Sequence, residues 1–421
     1  MFNQNYAWDI HSLHKRQSKE RAILAFLLYV AYFTYFLLPI CTQIVPRIFR
    51  FALYFLIPAY ALYINIDQYK QMSRDTFLFL IYVCLFIVAF YYGEWKNSSS
   101  LFDYFFTVFF FWLPMLFFED VIELPSWTKK WLRLFFWSYI FITMVTTSIG
   151  NVQYSEASRD LASYTPYADM YRSLNIGDYH FVYGVTILVP YILYEIKTSK
   201  ISGKIIFAVV LGTVCALVII TQYAIAVIIC AVEIIFLLVM KAKNKITMLL
   251  KCLLIVVIVY LVKDSIPNWL LSLKEIFEEA DMTSLAERCT MLEKFITGKG
   301  ATGDMANRGK LYLTSWQAFC ERPLLGNLTG TFVELGGHSE LLDILGGTGI
   351  AGFALFLCCM SYYIRKIRKY IVREDLVYVI ASFVGLTILF SVNTGLFQAV
   401  GMMAFMSAPL VLRSRGSRTY I

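Results

Sequence analysis

Residues 22–45 read AILAFLLYVAYFTYFLLPICTQIV and contain no charged side chain. A helix needs about 20 mostly apolar residues to cross the hydrocarbon core of a bilayer. Further charge-free runs occupy 205–230 and 253–262. The 421-residue chain is 59% hydrophobic and 16% charged, whereas about a quarter of a typical soluble domain is charged. The sequence therefore predicts an all-α polytopic membrane protein, with residues 1–421 forming a single integral membrane domain.

Hydropathy divides the chain into twelve predicted spans. They are 22–45, 49–66, 76–93, 101–118, 131–150, 180–196, 205–221, 223–240, 246–262, 340–363, 376–392 and 396–412. Two long connections remain, at 151–179 and at 263–338. Connections of this length in compact proteins are usually functional. The larger one contains the amphipathic segment NWLLSLKEIFEEA at 268–280, which predicts short helices lying on the membrane surface.

The basic residues predict the orientation of the chain. Of the 37 Lys and Arg residues, 24 lie in one alternate set of loops. Positive loops are retained in the cytoplasm, so both termini are expected there, and the loops 151–179 and 263–338 outside. The net charge of +8 follows from this topology and gives no reason to expect a nucleic-acid partner.

A glycine motif lies in the tenth predicted span. Residues 336–353 read GGHSELLDILGGTGIAGF, and 347–352 match the dinucleotide-binding pattern G-x-G-x-x-G. That pattern needs a strand before it and a helix after it in a soluble βαβ unit, and here it lies inside an apolar run. We interpret Gly346, Gly349 and Gly352, spaced three apart, as a side-chain-free face where another helix approaches closely.

Polar residues at the outer ends of spans are the candidates for chemistry. Arg308 lies in the large loop and His338 at the entry to the tenth span, with Glu340 and Asp343 on the same helix face. Each has an ordinary alternative. In these alternatives, Arg308 would be a solvated surface cation and His338 an interfacial or capping residue. Glu340 would be a first-turn acid favoured by the helix dipole. Asp343 lies a turn deeper, where an acid indicates a polar cavity.

These residues occur in an order known from one family. Arg308, then LTSWQAFCERPLLGN at 313–327, then 338–343 and 349–352, resemble the signature region of the O-antigen polymerase and ligase superfamily. The match covers about 50 residues, and the layout of spans around a large outer loop extends it loosely to the whole chain.

The resemblance implies a GT-C-like glycosyltransferase in the bacterial plasma (inner) membrane, with its active site on the extracytoplasmic face. Its substrates would be undecaprenyl-diphosphate-linked oligosaccharides in contact with membrane lipid. Arg308 would bind the diphosphate and His338 would be the catalytic base, with Glu340 orienting or replacing it and Asp343 in the substrate site. No cofactor and no metal are expected. A flippase and a chain-length regulator are the expected protein partners.

One feature departs from the family. Its members often carry Ser-Arg at the hairpin between the seventh and eighth spans, where this chain has Thr221-Gln222-Tyr223. Gln222 can donate a hydrogen bond to phosphate but brings no charge. Arg172, and after it Arg159, are the candidates for the missing charge, the alternative being that Arg172 only pairs with a local acid, Asp169 or Asp178.

Two other functions share parts of this sequence pattern. An O-antigen ligase, which would transfer finished polymer to lipid A core, would use the same histidine and arginine. A transporter or flippase would also suit twelve spans, although such proteins commonly consist of two similar halves, and no internal repeat is evident here. Cys289 and Cys320, both in the large loop, form either a disulfide or two free thiols.

Overall fold

The computed structural model describes residues 19–46, 48–49, 52–53, 55–57, 59–60, 63, 114–154, 156–162, 165–240, 245–280, 282–298, 303–329, 333–395 and 399–415. Over this part of the chain the secondary structure is helical, and an isolated antiparallel bridge joins Ile371 to Ser414. The helices are α1 Lys19–Leu37, α2 Cys41–Ile44, α3 114–123, α4 Ser126–Gln153, α5 Ala157–Ala162, α6 Ala168–Ser173, α7 Tyr179–Ile187, α8 Val189–Thr198, α9 Ile201–Ile220, α10 Ala224–Met240, α11 Lys245–Val262, α12 Ile266–Glu279, α13 Thr283–Ile296, α14 Gly303–Glu321, α15 Glu340–Tyr370, α16 Leu376–Val392 and α17 Ala399–Val411. The predicted all-α class is confirmed.

Four of the described helices are long and apolar enough to cross a membrane. They are Ser126–Gln153, Ile201–Ile220, Glu340–Tyr370 and Arg373–Val392. The pair α7 and α8 makes a fifth if it counts as one bent span, and α1, α10 and α17 are shorter apolar helices. The predicted span 76–93 lies outside the described residues, as does most of 101–118.

Two predicted spans are interrupted where the sequence contains proline. The span expected over 22–45 ends as a helix at Leu37, because Leu38 precedes Pro39 and a residue before proline disfavours the helical region. The span expected over 180–196 is bent by 42° between α7 and α8. Pro190 occupies the first turn of α8, where its missing N–H leaves no helical bond unmade.

The tenth predicted span also differs from a straight helix. In α15 the backbone of Gly349 is non-helical, with φ 64° and ψ −171°. The freed amides of Ile350 and Ala351 donate to the carbonyls of Pro323 and Leu324 at 2.8 and 3.1 Å. A turn of the large outer loop therefore inserts into α15. The predicted close approach of a helix is confirmed at Gly346, where a β-carbon would lie 2.7 Å from the Ser315 carbonyl oxygen of α14.

The large loop is folded into helices. α12 and α13 pack against each other, and α14 packs along α15. The predicted short helices are therefore confirmed, whereas their place on the membrane surface stays a prediction. Cys289 and Cys320 are both free thiols, the first buried and the second exposed. Of the two alternatives, the structure therefore has two free thiols and no disulfide between these residues.

The end of the bundle predicted to be cytoplasmic holds paired charges. In each pair an arginine meets a buried carboxylate from another part of the chain: Arg21 with Asp120, Arg133 with Glu195, and Arg413 with Asp375. The Arg413 pair is bidentate, with both N–O distances 2.9 Å. These contacts join the ends of neighbouring helices at the opposite end of the bundle from His338.

Candidate functional site

The backbone between α16 and α17 is the meeting point of several predicted site residues. Asn393 is extended, and its side-chain oxygen accepts from the Thr394 amide at 2.9 Å. The Gly395 amide donates to Glu340 Oε2 at 2.8 Å, and the Glu340 amide donates to the Asn393 carbonyl at 3.2 Å. Glu340 is thereby bound to this segment through both its carboxylate and its backbone amide. It is a buried acid in the first turn of α15.

Arg308 reaches the same segment from α14. Its Nη1 donates to the Val392 carbonyl at 3.3 Å, and the Tyr312 hydroxyl donates to the same oxygen at 2.9 Å. Residues four apart on a helix share one face, which explains why both side chains arrive together. The last carbonyls of a helix lack partners within it, so Arg308 and Tyr312 supply donors at the end of α16.

The charges of three arginines act on one buried tyrosine. The positive charges of Arg308, Arg159 and Arg288 all act on the phenol of Tyr183, whose side chain lies in α7 and is buried. The Tyr183 hydroxyl lies near the side chain of Asn393. Arg308 and Arg288 come from the consecutive helices α14 and α13 of the large loop, and Arg159 comes from α5, more than 100 residues earlier in the chain. Such convergence of guanidinium groups is suited to a polyanion.

Tyrosines continue the site on either side of Tyr183. Tyr223 follows the hairpin between α9 and α10, with its ring centroid 5.8 Å from that of Tyr183, and the charge of Arg159 acts on it as well. Tyr179, one turn before Tyr183 in α7, lies near Thr394, and the charge of Arg308 acts on it. The aromatic rings line the same region as the arginines.

Gln222 occupies the predicted hairpin and holds it to the large loop. Its φ of 57° is left-handed, a conformation rarely adopted by residues other than glycine, asparagine and aspartate. The Leu285 amide donates to Gln222 Oε1 at 3.3 Å. Leu285 lies one turn before Arg288 in α13. The hairpin 221–223, which has no arginine, is therefore hydrogen-bonded to the helix that carries Arg288.

Arg172 and Arg159 have different surroundings. Arg172 pairs with Asp169 at 3.0 Å, the local pairing that the sequence left open, and lines a cavity of about 220 Å³ with Tyr35 and Asp178. Arg159 pairs with Glu156 at 2.7 Å, both side chains being nearly half exposed, and its charge reaches Tyr183. Arg159 is therefore the one of the two whose charge acts at the tyrosine.

Asp343 organises the loop that carries His338. Its carboxylate accepts from the Ser315 hydroxyl at 2.5 Å and from the amides of Gly337 and Ser339, both at 3.3 Å. These bonds hold the backbone on both sides of His338. The sequence predicted a polar cavity at Asp343. In the structure its carboxylate accepts hydrogen bonds from the protein's own Ser315, Gly337 and Ser339.

Sequence reasoning did not single out Arg288, Tyr179, Tyr183, Tyr223, Asn393 or Thr394. The signal for the tyrosines was the spacing of Tyr179 and Tyr183 by four, on one face of a helix. The signal for Asn393 and Thr394 was a pair of polar residues between two apolar spans. Arg288 had no signal, because it is one of several cations in an amphipathic helix.

Neither a protein family nor a curated protein matches this chain. The likeness to the O-antigen polymerase and ligase superfamily therefore rests on the residues quoted from the sequence, and the site is interpreted from its own geometry.

Proposed function

We propose that this protein is a membrane glycosyltransferase that polymerises polyprenyl-diphosphate-linked oligosaccharide repeat units for a surface polysaccharide. The observation that carries the proposal is the convergence of Arg159, Arg288 and Arg308 on Tyr183. A diphosphate is a polyanion that needs several cations, and guanidinium groups offer paired donors to its oxygens. Tyrosine rings beside the cations provide flat surfaces of the kind on which sugars stack.

The arginines stabilise the leaving group. As the bond between the anomeric carbon and the diphosphate oxygen breaks, negative charge grows on the diphosphate. Preorganised donors aimed at that charge lower the barrier without reorganising during the reaction. Arg308 and Arg288 approach from the large loop, and Arg159 from the other outer loop. Together they take the place of the hairpin arginine that this chain lacks at Gln222.

His338 acts as the general base in this reaction. It removes the proton from an acceptor sugar hydroxyl, whose oxygen then bonds to the anomeric carbon as the diphosphate leaves from the opposite side. The configuration at that carbon inverts in one displacement, and no metal is used. Histidine suits the role because its ordinary pKa lies near working pH. Glu340 holds the segment 393–395 against the start of α15, two residues after His338.

The wider assignment belongs to the same proposal. It comprises twelve spans, a GT-C-like fold, the bacterial plasma membrane, cytoplasmic termini and an active site on the outer face. A flippase would deliver the lipid-linked unit, and a chain-length regulator would act with the polymerase. The apolar helices of the described chain are compatible with that setting.

Deletion of the gene, with surface polysaccharide resolved by size, tests the proposal. A polymerase predicts that single repeat units persist while long chains vanish. Long chains that remain on the polyprenyl carrier and never reach lipid A core would instead indicate the ligase, and unaltered chains would overturn both. Purified protein that elongates lipid-linked repeats in detergent, with no second compartment, would exclude a transporter.

A further inference from the structure

Glu233 lies in the middle of α10, far from the outer site, and its side chain is fully buried. Neither carboxylate oxygen has a hydrogen-bond partner among the residues that the structure describes. Buried charges in proteins are normally paired and hydrogen-bonded, because the cost of removing an isolated ion from water is many kcal/mol. An acid inside a membrane bundle is therefore a functional residue by default.

The neighbours of Glu233 in the described part of the chain provide no countercharge. α16 packs against α10 with Gly385 at the contact, and a β-carbon on Gly385 would lie 2.1 Å from Glu233 Oε1. The titratable groups near the Glu233 carboxyl are Tyr191 of α8 and Cys230 of α10 itself, and neither is a cation.

The remaining packed elements also place no cation beside it. In α7 the titratable side chains Tyr179, His180 and Tyr183 gather at the outer end of the helix. In α9 the nearby titratable group is Cys215, which acts on Cys230. In α11, Lys251 donates to the Leu238 carbonyl at 2.5 Å, on the side towards the predicted cytoplasmic end.

We propose that Glu233 is a proton-binding site in the membrane interior, occupied in the folded protein so that its carboxyl group is neutral. A proton is the ligand that this geometry accepts. Hard metal cations take six or more oxygen ligands, whereas the described residues contain no group of three His, Cys, Asp or Glu side chains able to hold a metal. Gly385 leaves no room for a hydrated ion beside Oε1.

Loss of the proton would disturb the packing of α10 against α16. The resulting charge would have to be hydrated, and water can reach Oε1 only if the two helices separate at Gly385. From Gly385 to Val392 is roughly 10 Å along α16, at 1.5 Å per residue. Separation would therefore also shift the carbonyl that Arg308 and Tyr312 bind. Proton binding at Glu233 does not itself depend on the chemistry proposed for the outer site.

Infrared spectroscopy of the full-length protein in lipid tests this proposal. The difference spectrum between wild type and Glu233→Gln at neutral pH should contain the C=O band of one protonated carboxylic acid. That band should disappear from the wild type as the pH is raised, and sodium chloride should not remove it. Glu293→Gln, which alters a buried acid of the outer helix α13, should leave the band unchanged.

Two results would overturn the proposal. A carboxylate band in place of the protonated acid at neutral pH would mean that Glu233 is ionised, and loss of the band on adding sodium would mean that it binds a metal cation. The wild-type spectrum alone is decisive if Glu233→Gln fails to fold, because a wild type without any protonated acid at neutral pH excludes the site.

Discussion

Glu340 accepts a hydrogen bond at 2.8 Å from the backbone amide of Gly395, and this contact joins the entry of α15 to the segment that follows α16. Arg308 donates to the carbonyl of Val392 at the start of that segment. The segment 392–395 therefore links the large outer loop to the entry of α15. Through Asn393 and Thr394 it also reaches the tyrosines of α7.

Arg288→Lys should lower polymer formation by about ten- to hundredfold in kcat/KM, the equivalent of one charge-assisted hydrogen bond of about 1.5–3 kcal/mol. Lysine keeps the charge but loses the planar pair of donors. The assay is elongation of lipid-linked repeats by purified protein. Lys274→Gln, which removes a partly exposed ion pair with Glu278 on α12, serves as the control and should keep full activity. Equal activity of Arg288→Lys and wild type would remove Arg288 from the diphosphate site.

His338→Ala should leave the protein inserted and folded but reduce chain growth by about 10²–10⁴-fold, the usual contribution of a general base. Gel separation of polysaccharide from cells carrying the variant measures the loss, and thermal unfolding checks the fold. The structure describes two histidines, His338 and His180, and His180→Gln tests the second of them. His180 is buried, and its Nδ1 has no hydrogen-bond partner among the described residues. Full-length polymer in His338→Ala, with loss in His180→Gln, would transfer the role of base to His180.

Gly349→Ala should destabilise the protein, because its φ of 64° is costly for an L side chain and a β-carbon would lie 2.4 Å from the Leu324 carbonyl carbon. Backbone strain of this kind costs about 1–3 kcal/mol, and the clash with backbone adds to it. Gly212→Ala in α9 is the matched control, since a β-carbon there meets nothing within 4 Å. Thermal unfolding in detergent should separate the two variants, and a Gly349→Ala protein as stable as Gly212→Ala would contradict the inserted turn.

Ser315→Ala should loosen the loop around His338. The Ser315 hydroxyl donates to Asp343 and accepts from the Gly336 amide at 2.8 Å, so its removal leaves buried groups unpaired at a cost of about 1–3 kcal/mol. We expect lower thermal stability and lower activity together. Thr314→Ala, one residue earlier, should change neither, because the exposed Thr314 hydroxyl donates to the Lys310 carbonyl of its own helix. An unaltered melting temperature in Ser315→Ala would show that Asp343 does not hold this loop.

A membrane-impermeant maleimide applied to intact cells should label Cys320 and spare Cys289. Cys320 is exposed on the loop predicted to be outside, whereas Cys289 is buried, and burial raises the pKa of its thiol. A raised pKa leaves less of the reactive thiolate at neutral pH, and labelling of Cys289 should increase as the pH rises. Variants that retain one of the two cysteines make the comparison. Cys320 that reacts only after the membrane is permeabilised would reverse the proposed orientation.

Some elements of the fold could be predicted from the sequence, and others could not. The helical class, the hairpin at 221–223 and the helices of the large loop follow from charge-free runs, turn residues and amphipathic periodicity. The breaks before Pro39 and Pro190 were present in the sequence as local signals, since proline removes an amide donor and restricts the residue before it. The break at Gly349 was not, because it exists only where Pro323 and Leu324 supply the missing acceptors.

By itself the sequence determined that this chain is a helical protein with apolar helices able to cross a membrane. That outcome depends on local composition, because an apolar segment of sufficient length forms its hydrogen bonds internally in lipid. Only the tertiary structure decided that the charges of Arg159, Arg288 and Arg308 act together on Tyr183. It also decided that Glu233 faces Gly385 with no hydrogen-bond partner among the described residues. These relations join residues far apart in the chain, and they depend on which helix faces pack together, which periodicity alone does not specify.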